Sequence, residues 1–472
     1  MGAATHLKEI RTGMRMRAAA IPWGSRRLQF ALVMGIVVSL LLLSLEVVHG
    51  QAAPPEAKSE QGEDIRNLWF ITFGLAAAVF VLVELAIVWV VVRYRRRNSD
   101  TGLPPQIHGS KRLEIVWTVI PSAIVAVVFA LSLIVLIDIE ASPDEGEPVE
   151  VIDVMGQQWT WGFRYSTPLE VTTTSMLSED PADVTLEVSD PAPFEAMVTQ
   201  INPELKTVRV GVEHLRVEAV SGNTVTVTRA VDATVAQRHV AGEPIDRTFL
   251  ITESIAEGRL EGADVTPVVT VPVGKTVRFN LSSRDVIHSF YIPQFLYKLD
   301  ANPGRVQALW VNVLEPTGFD AVLQGQCAEF CGREHARMIF AVRALELEDY
   351  NAWLAERTPA LEAREVSEAV DTSDEAEEVA AATGGDVVRG QELFFANGCN
   401  VCHGDVGQGG IGPTIASTGF NEEQVLEQYR NPRGVMPPFD EGRVADEDVG
   451  NIYAWLQTLP LPDSIVPGEG TP

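Results

Sequence analysis

The sequence predicts a multidomain chain: a two-helix transmembrane hairpin, an all-β domain carrying an inserted small β-module, and an all-α domain at the C-terminus. Three observations carry this. Two apolar runs, at about 68–92 and 115–137, are each long enough to span about 30 Å of hydrocarbon. Val- and Thr-rich segments between 148 and 347 alternate apolar and polar residues, as half-buried strands do. The four cysteines fall into two pairs, Cys327/Cys331 and Cys399/Cys402, each with a histidine close behind.

Residues 1–52 hold an apolar run at 30–48 after Lys8, Arg11, Arg15, Arg17, Arg26 and Arg27, with Gly50 and Ala52 near its end. That is the pattern of a signal peptide or an N-terminal anchor. The hairpin is expected over 63–140. Arg93, Arg95, Arg96, Arg97, Lys111 and Arg112 lie between its apolar runs, which puts that loop in the cytoplasm and everything after about residue 140 outside. Glu84 lies nine residues before Arg93, about 13 Å along a helix, and a carboxyl at that depth is expected to face a protein partner.

The β-domain is expected over 146–347. Pro148 to Val154 alternates, and an aromatic run follows, Trp159-Thr-Trp161-Gly-Phe163-Arg-Tyr165. Val268 to Leu281 continues the pattern and Met338 to Leu347 reads as the last strand. Between them, Val208-x-Val210-x-Val212, Ser221-Gly-Asn223 and Val225-x-Val227 are hairpin signals, so about 180–250 is read as the inserted β-module. His214 and His239 have no ligand residues beside them in sequence and read as structural.

Cys327-Ala-Glu329-Phe-Cys331-Gly-Arg-Glu-His335-Ala-Arg-Met338 packs four soft or borderline ligands into twelve residues, and Asp285-Val-Ile-His288-Ser-Phe offers another imidazole upstream. Two Cys, two His and one Met form a copper set. A disulfide would leave the His and Met positions to coincidence, and Met argues against a closed zinc site.

Cys399-Asn-Val-Cys402-His403 is the c-type haem attachment pattern, two thioethers with an axial imidazole. The domain around it is expected over 386–472. His403 is the sole His and Met436 the sole Met of 384–462, so Met436 is the sixth iron ligand by elimination. Residues 348–385 read as an acidic linker, with eight acidic residues against one Arg between Glu362 and Glu378.

The Cys-x-Glu-x-Cys-x3-His-x2-Met spacing with Val286-Ile-His288-Ser-Phe resembles the dinuclear CuA centre of subunit II of haem-copper cytochrome c oxidases. That resemblance implies a cupredoxin-like Greek-key CuA domain whose ligands are Cys327, Cys331, His288, His335, Met338 and the carbonyl of Glu329. It also implies a magnesium ion shared with subunit I at the Glu329 side chain. Leu113-Glu114-Ile-Val-Trp117-Thr-Val-Ile-Pro121 resembles the family's second membrane helix, making Glu114 the candidate mouth of a proton path. Trp159 takes the place of the family's electron-entry Trp, and Thr160 departs from the aromatic usually found next. Lys298-x-Asp300-Ala-x-Pro303-Gly304-Arg305 is similar to the loop that contacts subunit I. Residues 384–462 resemble a small class I cytochrome c.

The expected function is the electron-entry subunit of a bacterial, proton-pumping cytochrome c oxidase, multi-pass in the plasma membrane with its CuA and haem domains outside. Its expected partners are subunits I and III and a cytochrome c or other donor with a basic face. A formal charge of −28 argues against nucleic acid and for such a donor. The alternatives are the small subunit of a CuA-containing nitric oxide reductase and a membrane-tethered electron carrier. The quinol oxidase branch lacks the CuA ligands.

Overall fold

The computed structural model describes residues 53–95, 109–359 and 384–459, apart from 145–146, 201–202, 252, 257–264, 405, 410–411 and 434–435. The expected signal or anchor segment and most of the basic loop lie outside these residues.

Two long helices, α1 (Glu60–Tyr94) and α2 (Lys111–Glu140), have the length and composition to cross a membrane. Their apolar side chains, such as Phe80, Leu82, Val125 and Phe129, are exposed, as lipid-facing residues are. The start of α1 belongs with the β-domain: Lys58 pairs with Glu315 at 3.0 Å, and Gln61 donates to Asn312 at 3.0 Å. Glu84 lies within α1.

The β-domain is a sandwich of two sheets. The larger is built from β1 (Val149–Gln157), β2 (Thr160–Thr172), β3 (Thr185–Glu187), β4 (Thr207–Val210), β5 (Glu213–Ser221), β6 (Thr224–Val231), β7 (Pro244–Leu250), β10 (Thr276–Ser283) and β13 (Gln307–Asn312), in the order β13-β10-β1-β2-β7-β4-β5-β6-β3. The smaller sheet contains β8 (Ser254–Ala256), β9 (Val265–Pro272), β11 (His288–Tyr291), β12 (Lys298–Ala301), β14 (Leu323–Cys327) and β15 (Ile339–Leu345), in the order β12-β11-β14-β15-β9-β8. β1 runs parallel to β10 and β15 parallel to β9, and the other pairs are antiparallel.

Alternation sends Trp161, Phe163 and Tyr165 of β2 inward, where Trp161 meets Phe290 and Phe340 edge-on and those two rings stack at 4.4 Å. Gly325 admits the Phe340 ring, because a Cβ there would lie 2.2 Å from it. This aromatic core fixes the floor beneath the start of β11, at His288, and the end of β14, at Cys327.

The inserted segment differs from the expected module. It has its own core, with Phe194, Leu215, Val217 and Val225 buried, but its strands extend the larger sheet rather than forming a separate body. Strand β7 pairs directly with β2 and places Phe249 in the main core. The expected boundary at 250 therefore places β7 in the insert, whereas its pairing with β2 makes it part of the scaffold.

His214 and His239 are held in buried networks. Glu213, on β5, binds Arg229 through both oxygens at 2.6 and 2.8 Å and His239 Nε2 at 2.8 Å. Burial alone would raise its pKa, but the hydrogen bonds from Arg229 and His239 outweigh it and hold the carboxyl at about 2, against 4.5 for a free one. Its stabilising contribution, on the order of 3 kcal/mol, is complete above pH 4.5 and is lost as pH falls towards 2. Denaturation of the detergent-solubilised chain should show Glu213→Gln destabilised by about 3 kcal/mol at neutral pH, with a flatter dependence between pH 4.5 and 2. An unchanged midpoint would reject this account.

The expected linker does not begin at 348. Helix α3 (Ala192–Val198) lies in the insert, and residues Leu347–Arg357 form helix α4, whose Tyr350 and Trp353 are buried against the sandwich. Trp353 meets Tyr165 at 5.2 Å and donates to Glu253 at 3.2 Å. Residues 360–383 lie outside the described set.

The C-terminal domain contains α5 (Val387–Ala396), α6 (Cys399–His403), α7 (Glu422–Arg430) and α8 (Asp446–Gln457). α5 crosses α8 at Gly390, where a Cβ would fall 1.9 Å from the Asn451 carbonyl oxygen. Phe394 packs on Trp455 at 4.7 Å, and a capping box of Asn421 and Gln424 opens α7.

Candidate metal and haem centres

The copper-type ligands converge at one end of the sandwich. Cys327 Sγ lies 3.8 Å from Cys331 Sγ and 4.0 Å from His288 Nδ1. Cys331 Sγ lies 3.5 Å from His335 Nδ1 and 3.7 Å from Met338 Sδ. The Glu329 carbonyl oxygen lies 3.2 Å from Cys327 Sγ. Cys327, Cys331, His288 and Met338 are buried. Two thiols, two imidazoles, a thioether and a carbonyl within reach of one another fit a soft metal pair. The contact between the two sulfurs lowers the pKa of the Cys327 thiol and raises that of Cys331, and a cation held between them would favour the deprotonated form of both.

Residues without a ligand role hold this arrangement. His288 Nε2 lies 2.9 Å from a carboxylate oxygen of Asp285, which can only accept, so Nε2 carries the proton and Nδ1 is left free to face Cys327. The other oxygen of Asp285 accepts from the Gln158 amide at 2.8 Å. Burial opposes the charged form of Asp285, but these hydrogen bonds outweigh it and lower its pKa. Gly156 leaves room for the His288 ring, since a Cβ there would lie 2.8 Å from it. The Cys331 carbonyl accepts from Gln158 Nε2 at 2.7 Å and from the Trp159 indole at 3.1 Å. Trp159 is thus one hydrogen bond from a candidate ligand, and the Arg333 guanidinium lies 5.7 Å from its ring centre. Asp285 stands three residues before His288 in sequence, while Gly156 and Gln158 carry no local sign of this role.

The haem-type residues line a cavity of about 890 Å3. Cys399, Cys402, His403 and Met436 contribute to its wall, with apolar residues including Ile415, Val425 and Leu456. His403 Nδ1 donates to the Pro413 carbonyl at 2.7 Å, which leaves Nε2 unprotonated. Burial lowers the His403 pKa and so favours the neutral ring that an iron ion binds. Burial also pushes the Cys399 thiol up to about 11 and Cys402 up to about 12. Gly412 lies against the His403 ring, where a Cβ would come within 2.8 Å. Met436 Sδ accepts from Gln428 Nε2 at 3.8 Å. Paired thiols, a neutral imidazole and a thioether around one largely apolar space fit a c-type haem.

Gln157, Gln158, Trp159 and Thr160 line the same cavity. The structure therefore brings Trp159 to both sites. Glu114 is placed elsewhere, exposed in the first turn of α2. Lys298 and Asp300 lie on β12, and Lys298 Nζ donates to the Ala328 carbonyl at 3.5 Å.

Three family models match the chain. Residues 47–135 match the transmembrane domain of cytochrome c oxidase subunit II, 239–345 match its periplasmic domain, and 385–456 match cytochrome c oxidase, cbb3-type, subunit III. The chain is 31% identical over 308 residues to cytochrome c oxidase subunit 2 of Mycobacterium bovis, covering 64% of this chain and 74% of that one. It is 25% identical over 425 residues to cytochrome c oxidase subunit 2 of Alkalihalophilus pseudofirmus, covering 86% of this chain and 90% of that one. Among solved structures, the periplasmic domain of subunit II of the Bradyrhizobium japonicum cytochrome oxidase matches at 20% identity with a TM-score of 0.24, over 44% of this chain and 91% of that chain.

Proposed function

This chain belongs to the cytochrome c oxidase subunit II family, and we propose that it passes electrons from an external donor through a covalent haem c to a dinuclear copper centre and on to subunit I. In subunit I, oxygen reduction would be coupled to proton translocation. Cys399 and Cys402 would anchor the haem covalently, with His403 and Met436 as axial ligands. Cys327, Cys331, His288, His335, Met338 and the Glu329 carbonyl would hold the copper pair. A copper pair and a c-type haem, when bound, supply one-electron redox chemistry.

The observation that carries this reading is the shared position of Trp159. It lines the cavity that holds the haem-type residues, and its indole N–H reaches the Cys331 carbonyl at 3.1 Å. A docked haem would thus stand beside the entry residue of the copper site. The buried surroundings of Cys327, Cys331 and His288 exclude water and keep the ligands fixed, which suits transfer without rearrangement.

The remaining roles follow the family. Glu114 would stand at the mouth of a proton path in subunit I, and the Glu329 side chain would reach a magnesium ion shared with that subunit. The chain would sit in the bacterial plasma membrane beside subunits I and III, with the domains after residue 140 outside. Thirteen Asp or Glu against four Arg in residues 386–472 favour a donor with a basic face.

The test is the purified complex, supplied with reduced cytochrome c and either oxygen or nitric oxide. Oxygen consumption is expected, and Trp159→Phe should slow reduction of copper by haem by about tenfold or more while leaving haem reduction by the donor unchanged. Consumption of nitric oxide alone would favour the reductase reading. An unchanged internal rate in the variant would remove Trp159 from the route.

A further inference from the structure

We propose that the inserted β-segment is a docking device for the chain's own C-terminal domain, acting through Asp232, which sets Arg284 to grip the end of helix α5. Asp232 follows β6 in the left-handed region, at φ +56°. Neither subunit II model matches its segment, since one ends at 135 and the other begins at 239.

The Asp232 carboxylate is nearly buried and divided between two cations. One oxygen accepts from Arg284 Nη2 at 3.0 Å and the other pairs with Arg164 Nη2 at 3.0 Å, with His214 Nδ1 at 3.7 Å. Arg284 is just past β10 on the sandwich. Its Nη1 donates to the carbonyls of Phe395 and Ala396, each at 3.2 Å, and its Nε contacts Met155 Sδ at 2.7 Å. Those carbonyls close α5, where the helix dipole is negative, and the Phe395 carbonyl also accepts from the Gly398 amide at 2.9 Å. A guanidinium suits the position because its planar fork can hold a carboxylate with one nitrogen and carbonyls with another. Among the described residues, Asp232 is the carboxylate that pairs with Arg284. Without it the long side chain would lose its orientation, and a nearly buried cation would lose its counter-charge.

The surroundings have the character of an interface. Gln157 Nε2 donates to the Gly398 carbonyl at 3.1 Å, and a Cβ on Gly398 would lie 2.4 Å from Gln157 Oε1. A Cβ on Gly162 would lie 3.3 Å from Val401, next to Cys402. Beside the clamp, a cleft of about 540 Å3 is walled by Thr207, Arg216 and Thr234 of the insert and by Phe395, Asn397 and Arg443 of the C-terminal domain. The clamped turn leads directly into Cys399, so fixing it fixes the haem attachment site opposite Trp159. That purpose rests on the proposed electron route, whereas the clamp itself does not.

Hydrogen exchange on the full-length protein tests the clamp without an activity readout. Asp232→Asn keeps the side chain's shape and removes its charge, and is expected to speed exchange about tenfold in peptides over 393–401 and 155–163. Peptides over 214–220 and 446–457 should keep their protection, showing both bodies folded. Arg284→Gln should give the same opening, and the double variant no more than Arg284→Gln alone, because the two residues act as one unit. Should Asp232→Asn expose 214–220, Arg284→Gln becomes the deciding variant. Unchanged protection at 393–401 in Arg284→Gln, unchanged protection there in a folded Asp232→Asn protein, or additive effects would each overturn the proposal. Loss of electron transfer with the clamp intact would count against the electron route alone.

Discussion

Replacing Cys331 by alanine is expected to abolish the copper pair while leaving haem attached. Cys331 Sγ is the hub of the cluster, within 3.8 Å of the sulfur of Cys327, the Nδ1 of His335 and the sulfur of Met338. Removing it takes away one of two thiolates and separates His335 and Met338 from Cys327. The remaining donors suffice for at most a single ion. The frame should survive, because the groups that brace this loop, Gln158 and Trp159, bind the Cys331 backbone carbonyl, which alanine retains. Losing a single buried sulfur should cost only about 1 kcal/mol of stability. Cys399 and Cys402 lie on a separate helix with its own core, so covalent haem should be unaffected. Elemental analysis with electron paramagnetic resonance and a haem assay on the same sample would decide the matter. A full copper complement with its mixed-valence spectrum intact would reject the ligand assignment.

The two candidate cofactor motifs are legible in the sequence because the residues that carry them are local. Twelve residues hold Cys327, Cys331, His335 and Met338, and five hold Cys399, Cys402 and His403. The alternation of Pro148 to Val154 likewise signals a strand, and β1 forms there. What periodicity lacks is pairing. Nothing in Pro244–Leu250 says that it lies beside Arg164–Thr172, some eighty residues earlier, so a strand of the scaffold reads as the edge of an insert. Helix α4 is missed for another reason. Its Tyr350, Trp353 and Leu354 recur at helical spacing, but an acidic exposed face gives the segment the composition of a linker. The supports of the copper-type site are longer in range still. Asp285 is three residues from His288, yet its second partner is the Gln158 amide, and that contact exists only once β1 and β10 have paired. The Asp232–Arg284 clamp joins three parts of the chain and has no local signature.

Met436→Ala is expected to lower the haem potential by on the order of 0.1–0.2 V without releasing the haem, since axial ligands tune c-type and related haems over roughly 0.8 V. Met436 lies in the irregular segment after α7, away in sequence from Cys399, Cys402 and His403, so both thioether bonds and the imidazole should remain. Met436 lines the shared cavity, and its sulfur accepts from Gln428 Nε2 at 3.8 Å. A thioether favours reduced iron, and water or an adjacent side chain in its place would favour the oxidised form. For one electron, a shift of about 0.12 V alters the equilibrium between haem and copper about a hundredfold. The direction matters for function: a lower potential makes the haem a stronger reductant for copper but a poorer acceptor from the donor. Donor-to-haem equilibration should therefore suffer most, and the steady-state haem should be more oxidised during turnover. Spectroelectrochemical titration of the full-length protein measures the potential, and absorbance during turnover measures the haem's redox level. An unchanged potential would mean that another group is the sixth ligand, and Gln428→Leu, which frees the sulfur without removing it, should by contrast leave the potential near that of the parent.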